Sequence, residues 1–289
     1  MANILVTGAS AGFGKLITAA LLKNKHTVVA AMREPATRNR AVAGELSRLG
    51  ATLVEIDVTS DASVDKGVQA ALAKVGHLDV LVNNAGVGVH GLQESFTAED
   101  FRKLFDINVF GVQRMNRAVL PHLRGRGRGL LLHVSSLLGR ITLPFYGPYN
   151  ASKWALEALA ENYRAELSAF GIETALVEPG GYPTTFIDRL MKPSDRSREA
   201  SYGEFAKAPD ASLHGFEEFL KANPAQNPQN VADAVVRLVE MPAGQRPFRT
   251  VVDNLGMGTG VESYNAQAQE LTRGVYTNMG IVHMLAVKA

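Results

Sequence analysis

The sequence predicts an α/β protein: a doubly wound parallel sheet in three α/β/α layers, folded as a single domain over residues 1–289. Three observations predict it. Short apolar runs alternate six times with amphipathic segments of helical period, with no internal repeat or linker between them. A glycine-rich turn, Gly8-Ala9-Ser10-Ala11-Gly12-Phe13-Gly14, follows the first run at once. The later runs end in small or polar residues, as expected where strands deliver binding loops to one edge of a sheet.

Composition narrows the class further. A chain of 289 residues can bury a substantial core in one large domain. Hydrophobic content of 46% with 20% charged residues fits a soluble globular protein. A net charge of +2 gives no electrostatic case for nucleic acid or an anionic membrane as partner. With no cysteine, disulfides, thiolate catalysis and Cys-ligated metal sites are excluded. No apolar run reaches the ~18 residues of a membrane span, and no charged-then-apolar leader opens the chain, so a cytoplasmic protein is expected.

Taken in order, residues 4–7 form the first strand, and Leu16, Ile17, Ala20 and Leu21 mark one face of the helix after the glycine turn. Strand, glycine turn and helix set backbone N–H groups against a phosphate. Gly8, Gly12 and Gly14 allow the tight turn and close approach of the backbone to a pyrophosphate, with Ser10 and Phe13 beside them. The spacing is G-x-x-x-G-x-G, not the common G-x-G-x-x-G. The second strand, 26–32, ends at Arg33-Glu34-Pro35. In a dinucleotide site an arginine here suits a 2′-phosphate, and an acid suits a free 2′-hydroxyl. Arg33 comes first, with Arg38 and Arg40 nearby, so NADP(H) is expected over NAD(H); Glu34 is the competing ribose ligand.

A helix over 37–49 leads to strand 52–56 and Asp57-Val58, where Asp57 either caps the next segment or accepts from an adenine amino group. A helix over 61–75 precedes strand 78–82 and Asn83-Asn84-Ala85-Gly86, which suits a cofactor groove or a side-chain-stabilised turn. One long helix is expected over 98–123, with Asn108 inside its apolar stretch; a buried amide there needs partners. The run Arg124-Gly125-Arg126-Gly127-Arg128-Gly129 reads as a solvated turn. Strand 130–134 ends in Ser135-Ser136, and a helix carries Tyr149-Asn150-Ala151-Ser152-Lys153 and runs on to about residue 170. Tyrosine and lysine four apart share a helix face. A phenol ionises near pH ~10, and a neighbouring ammonium is expected to lower that value toward useful acid–base chemistry. Strand 172–177 then ends in Glu178-Pro179-Gly180. Right-handed crossovers bring these strand ends to one edge.

In this order and spacing, Thr7-Gly8-x3-Gly12-x-Gly14, Asn83-Asn84-Ala85-Gly86, Asn108, Ser136, Tyr149-x3-Lys153 and Pro179-Gly180 resemble the short-chain dehydrogenase/reductase family, over roughly residues 3–185. Val28-Val29-Ala30-Ala31-Met32-Arg33, with the tail around Gln226 and Pro247-Phe248-Arg249, looks like its 17β-hydroxysteroid dehydrogenase branch, in which the matching arginine favours NADP. The resemblance implies a Rossmann-type fold and hydride transfer between a nicotinamide cofactor and a ketone/alcohol pair. It implies that Tyr149 is the general acid/base, that Lys153 lowers its pKa and binds the nicotinamide ribose, that Ser136 polarises the carbonyl, and that Asn108 holds a relay water. Ser136, not Ser135, lies thirteen residues before the tyrosine. Asp57 and Val58 are implied to hold the adenine, Asn84, Ala85 and Gly86 the nearer ribose region, and Thr184, after Pro179 and Gly180, the carboxamide.

The resemblance also makes residues 185–225 a substrate lid, followed over 226–289 by a helix, a last strand and a tail. His90 is a candidate substrate contact, and no metal is expected because the cofactor carries the chemistry. The alternatives are a 3-oxoacyl thioester reductase and a catalytically silent cofactor-sensing protein on the same fold. The family's pairing of its long helices makes a homodimer or homotetramer the expected assembly.

Overall fold

Residues 1–288 are described in the computed structural model. Seven strands form one fully parallel sheet: β1 (Asn3–Val6), β2 (Thr27–Met32), β3 (Thr52–Glu55), β4 (Val80–Asn83), β5 (Gly129–Val134), β6 (Ile172–Pro179) and β7 (Arg249–Val252), in the order β3-β2-β1-β4-β5-β6-β7. The order reverses between β1 and β4, which opens a crevice beyond their carboxyl ends. The inner strands β1, β2, β4 and β5 are buried on both faces, so they read as mainly apolar runs whose alternate residues go to opposite layers. Ile4 and Val6 join one core cluster with Val80 and Val82, while Leu5 and Leu81 join the other.

Helices α1 (Gly12–Lys23) and α8 (Gln229–Glu240) pack together on the first face, Ile17, Ala20 and Leu21 meeting Val231, Val235 and Leu238. Each fully buried aliphatic side chain contributes about 1.5–3 kcal/mol. Helices α3 (Asp61–Val75) and α5 (Gly111–Arg126) cover the other face through Val64, Val68, Met115 and Val119. The 21-residue α6 (Gly147–Leu167) lies along β6, and a short α2 (Arg40–Arg48) packs over β2 and the edge strand β3.

One region differs from expectation, and two that the sequence left without detail are structured. The helix expected over 98–123 is broken: α4 (Ala98–Phe105), capped by Thr97 and Asp100, passes through a π-helical turn at Asp106–Phe110 before α5. The extra residue of a π turn aims Asn108 sideways into the loop after β4. The insert at 185–225 is folded, with 3-10 turns at Ile187–Arg189 and Glu199–Lys207 and a full helix, α7 (Ala208–Ala222). The tail contains a 22-residue helix, α9 (Met257–Asn278). Among the described residues, no helix is long and apolar enough to cross a membrane.

Candidate active site

The carboxyl ends of the strands enclose one deep cleft of about 640 Å³. Gly8, Ser10, Gly12 and Phe13 line it after β1, Arg33 after β2, and Asp57 and Val58 after β3. Asn84, Ala85 and Gly86 line it after β4, Ser136 after β5, Tyr149 and Lys153 from α6, and Pro179, Gly180 and Thr184 after β6. Residues scattered over most of the chain thus meet at one edge, as the crossovers require.

Three expected site residues do not line it. Gly14 faces the back of the glycine turn: a Cβ there would lie 2.3 Å from the Gly8 carbonyl oxygen and 2.4 Å from Asn84 Nδ2. Its work is close helix–strand packing, not contact with a pyrophosphate. Asn108 is buried, and its amide is fully engaged: Oδ1 accepts from the Val87 N–H at 2.9 Å, while Nδ2 donates to the Val87 carbonyl at 2.9 Å and to Ser152 Oγ at 3.0 Å. No side-chain donor is left for a relay water; the residue clamps the loop after β4 onto α6. His90 lies behind the wall, fully buried, its ring edge-on to Tyr146 at 4.8 Å. Burial and the nearby Lys192 pull it down to about 4, so it is neutral and structural.

Tyr149 sits in the first turn of α6, where Pro148 pre-sets the backbone. Ser136 caps the 3-10 turn Leu137–Gly139, its Oγ accepting from the Leu138 N–H at 3.1 Å. Lys153 is buried; its Nζ donates to the Val134 carbonyl at 2.9 Å and stands 5.6 Å from the Tyr149 ring centre. Burial under Phe186, whose ring centre is 5.7 Å away, pushes the phenol well above its ordinary value, and the Ser136 hydroxyl opposes that rise. The expected lowering by Lys153 is not seen: its ammonium turns toward the strand carbonyl, and burial sets the phenol. Burial pulls Lys153 down to about 8, with the Glu157 carboxylate acting the other way. At neutral pH the cleft therefore presents a protonated phenol beside an ammonium.

The other end suits a dinucleotide. Gly12 has a φ of +50°, and the nearest atom to a Cβ built there would be Thr184 Cβ at 3.9 Å, so the turn leaves room for a phosphate against bare backbone. Asn84 Nδ2 donates to the Thr7 carbonyl at 2.9 Å, while Thr7 Oγ1 accepts from the Asn84 and Ala85 N–H groups at 3.0 Å, so the two loops are fixed together. Asp57 Oδ1 accepts from the Thr59 N–H and hydroxyl, the local bonds of a cap, yet the residue still borders the cleft. Arg33 and Arg38 line it and Glu34 does not. Lys153 has one protein acceptor for three N–H donors, which leaves two for ribose hydroxyls. These residues fit a nicotinamide dinucleotide.

Sequence reasoning passed over Leu138, Ile141, Leu143 and Met257, which with Tyr146 and with Phe186 and Phe216 of the lid segment form an apolar wall. It also missed Glu157 and Glu178, two carboxylates buried behind Lys153. A signal existed for both: Glu157 is four residues after Lys153, and Glu178 follows directly on the apolar run Ala175-Leu176-Val177.

Comparison with known proteins agrees. A short chain dehydrogenase family model matches residues 2–194. The chain is 33% identical over 253 residues to 3-ketodihydrosphingosine reductase of Bacteroides thetaiotaomicron, covering 87% of this chain and 88% of that protein. It is 32% identical over 247 residues to human 17-beta-hydroxysteroid dehydrogenase type 1, covering 83% and 74%. A short-chain dehydrogenase structure from Streptomyces avermitilis superposes with a TM-score of 0.74 at 28% identity, over 96% of this chain and 97% of that one. The protein belongs to the short-chain dehydrogenase family and is an NAD(P)-linked oxidoreductase of the CH–OH/C=O pair.

Proposed function

We propose that the protein reduces a ketone with an apolar body to a secondary alcohol using NADPH, and runs the reverse oxidation with NADP, with Tyr149 as general acid/base. One observation carries this reading: Ser136, Tyr149 and Lys153 border the same cleft, with the phenol buried and protonated. A bound nicotinamide nucleotide supplies the hydride that adds to the carbonyl carbon. Tyr149 Oη gives its proton to the carbonyl oxygen as charge builds there. Ser136 Oγ donates a hydrogen bond to that same oxygen, which polarises the carbonyl. Lys153 supports the phenolate left behind and orients the ribose hydroxyls. Asn108 acts at one remove, by holding Val87 and Ser152.

Arg33 and Arg38, both on the cleft and neither paired with a carboxylate among the described residues, support the choice of NADPH. The apolar wall supports a bulky ketone over a thioester. Phe110 and Trp154, exposed on the long-helix face, support a homo-oligomer. The test is a panel of ketones with NADPH or NADH, followed by loss of the reduced-nicotinamide absorbance. Turnover of apolar ketones with NADPH well ahead of NADH is expected; no turnover of any ketone, or equal use of both cofactors, contradicts the reading.

A further inference from the structure

Behind Lys153 lies a buried charge cluster in which two carboxylates fall to one guanidinium. Glu157 is one turn further along α6, Glu178 closes β6 immediately before Pro179, and both side chains are essentially unexposed. One guanidinium serves both. Arg249 Nε on β7 donates to Glu157 Oε2 at 2.8 Å and stands 3.3 Å from Glu178 Oε1 without hydrogen-bond geometry. The same arginine also donates to Glu161 at 2.5 Å, a carboxylate that water reaches. From α9, Asn265 Nδ2 donates to Glu178 Oε2 at 2.6 Å, and Arg140 Nε donates to Asn265 Oδ1 at 2.7 Å, so Arg140 touches Glu178 only through an amide.

Glu157 Oε1 and Glu178 Oε1 are left with no hydrogen-bond partner, as is the buried Ser135 hydroxyl nearby. A buried ionised oxygen without a donor is costly, and two anions on one guanidinium compound that cost. One proton on the pair removes a charge and supplies the missing donor.

We propose that Glu157 and Glu178 hold a single proton between them, and that Glu157 is a positioning residue that keeps Lys153 cationic beside Tyr149. The second half rests on the role given to Tyr149 and Lys153 above; the first does not. Burial and the Glu157 carboxylate push Glu178 well above the ordinary carboxylate range, which favours the proton there, while Glu157 opposes the lowering of Lys153. The groups facing the pair are Lys153 and Glu161 on α6, Arg249 on β7, Arg140 after β5, and Asn265 on α9. Arg164 and Tyr264 stand one layer out, the first over the Phe248 ring and the second under Arg140.

Two measurements separate the halves. Carboxyl-carbon NMR of the full-length protein labelled at glutamate reads the proton directly, without turnover. One glutamate should titrate well above the ordinary carboxylate range near ~4.3, and its signal should vanish in Glu178→Gln; if every glutamate titrates in the ordinary range, the shared proton is refuted. The pH profile of kcat reads the positioning. Glu157→Gln keeps the shape and removes the charge, so the alkaline limb should move about one pH unit lower, a loss of roughly fivefold at the original midpoint. Glu178→Gln should leave that limb in place. An unmoved limb in Glu157→Gln overturns the positioning role, since a merely structural defect changes amplitude and not pH. Failure of the broader reading looks different: full activity in Tyr149→Phe would remove it and leave the NMR titration standing.

Discussion

Two glycines in one turn are expected to fail in opposite ways. At Gly14 an added methyl meets backbone, 2.3 Å from the Gly8 oxygen, and also the Asn84 amide at 2.4 Å, so neither neighbour can simply swing aside. Overpacking of this kind costs about 1–3 kcal/mol. Displacing Asn84 from the Thr7 carbonyl adds about 1 kcal/mol, and the helix propensity gained by replacing glycine returns about 1 kcal/mol. Gly14→Ala should therefore lose about 2 kcal/mol, which in a domain of this size lowers Tm by about 4 °C. At Gly12 no such contact exists, and only the positive φ is penalised, by about 1–2 kcal/mol. There the methyl enters the space offered to a phosphate, so Gly12→Ala should weaken NADPH binding at least about tenfold, or about 1.4 kcal/mol. Calorimetry and cofactor titration on the same preparations separate the two. A Gly14→Ala protein as stable as the parent, or a Gly12→Ala protein with unchanged NADPH affinity, would refute this division of labour.

Arg33→Ala should raise the KM for NADPH roughly tenfold or more while leaving that for NADH nearly unchanged, because a guanidinium–phosphate contact exists only for the first; equal losses in steady-state kinetics would remove the NADP assignment. His90 is depressed from 6.5 to about 4, so its contribution is present above pH ~6.5 and is lost as pH falls through about 4. His90→Phe should accordingly soften the fall of Tm with acid in that window, by up to about 3 kcal/mol. The part due to His133, pulled down to about 3 by burial, should persist; an unchanged Tm–pH curve would count against this account of His90.

Much of this was legible in the sequence because the physics was local. Parallel strands buried on both faces must be apolar throughout, so β1, β4 and β5 announce themselves, and their terminal residues must share an edge. The exceptions all involve long-range packing. Gly14 and Gly12 look alike in a glycine turn, and only the position of Asn84 distinguishes packing from ligand space. Asn108 is recognisable as a buried amide in need of partners, but not the π turn that aims it at Val87. The expected effect of Lys153 on Tyr149 follows from helix spacing; that burial dominates instead follows from the packing around the phenol and the Val134 carbonyl that takes the ammonium, which spacing does not reveal. Glu157 and Glu178 lie 21 residues apart in sequence, and only the fold brings both to Arg249 of β7.

The central claim is that the Tyr149 hydroxyl moves the proton while the rest of the cleft binds. Tyr149→Phe deletes that one oxygen and keeps the ring that packs against Phe186. Loss of a general acid lowers kcat by about 10²–10⁴-fold. With NADPH and an active apolar ketone, the account predicts a fall of that size with the NADPH dissociation constant changed less than about threefold. Retention of full ketone-reducing activity in Tyr149→Phe would contradict it.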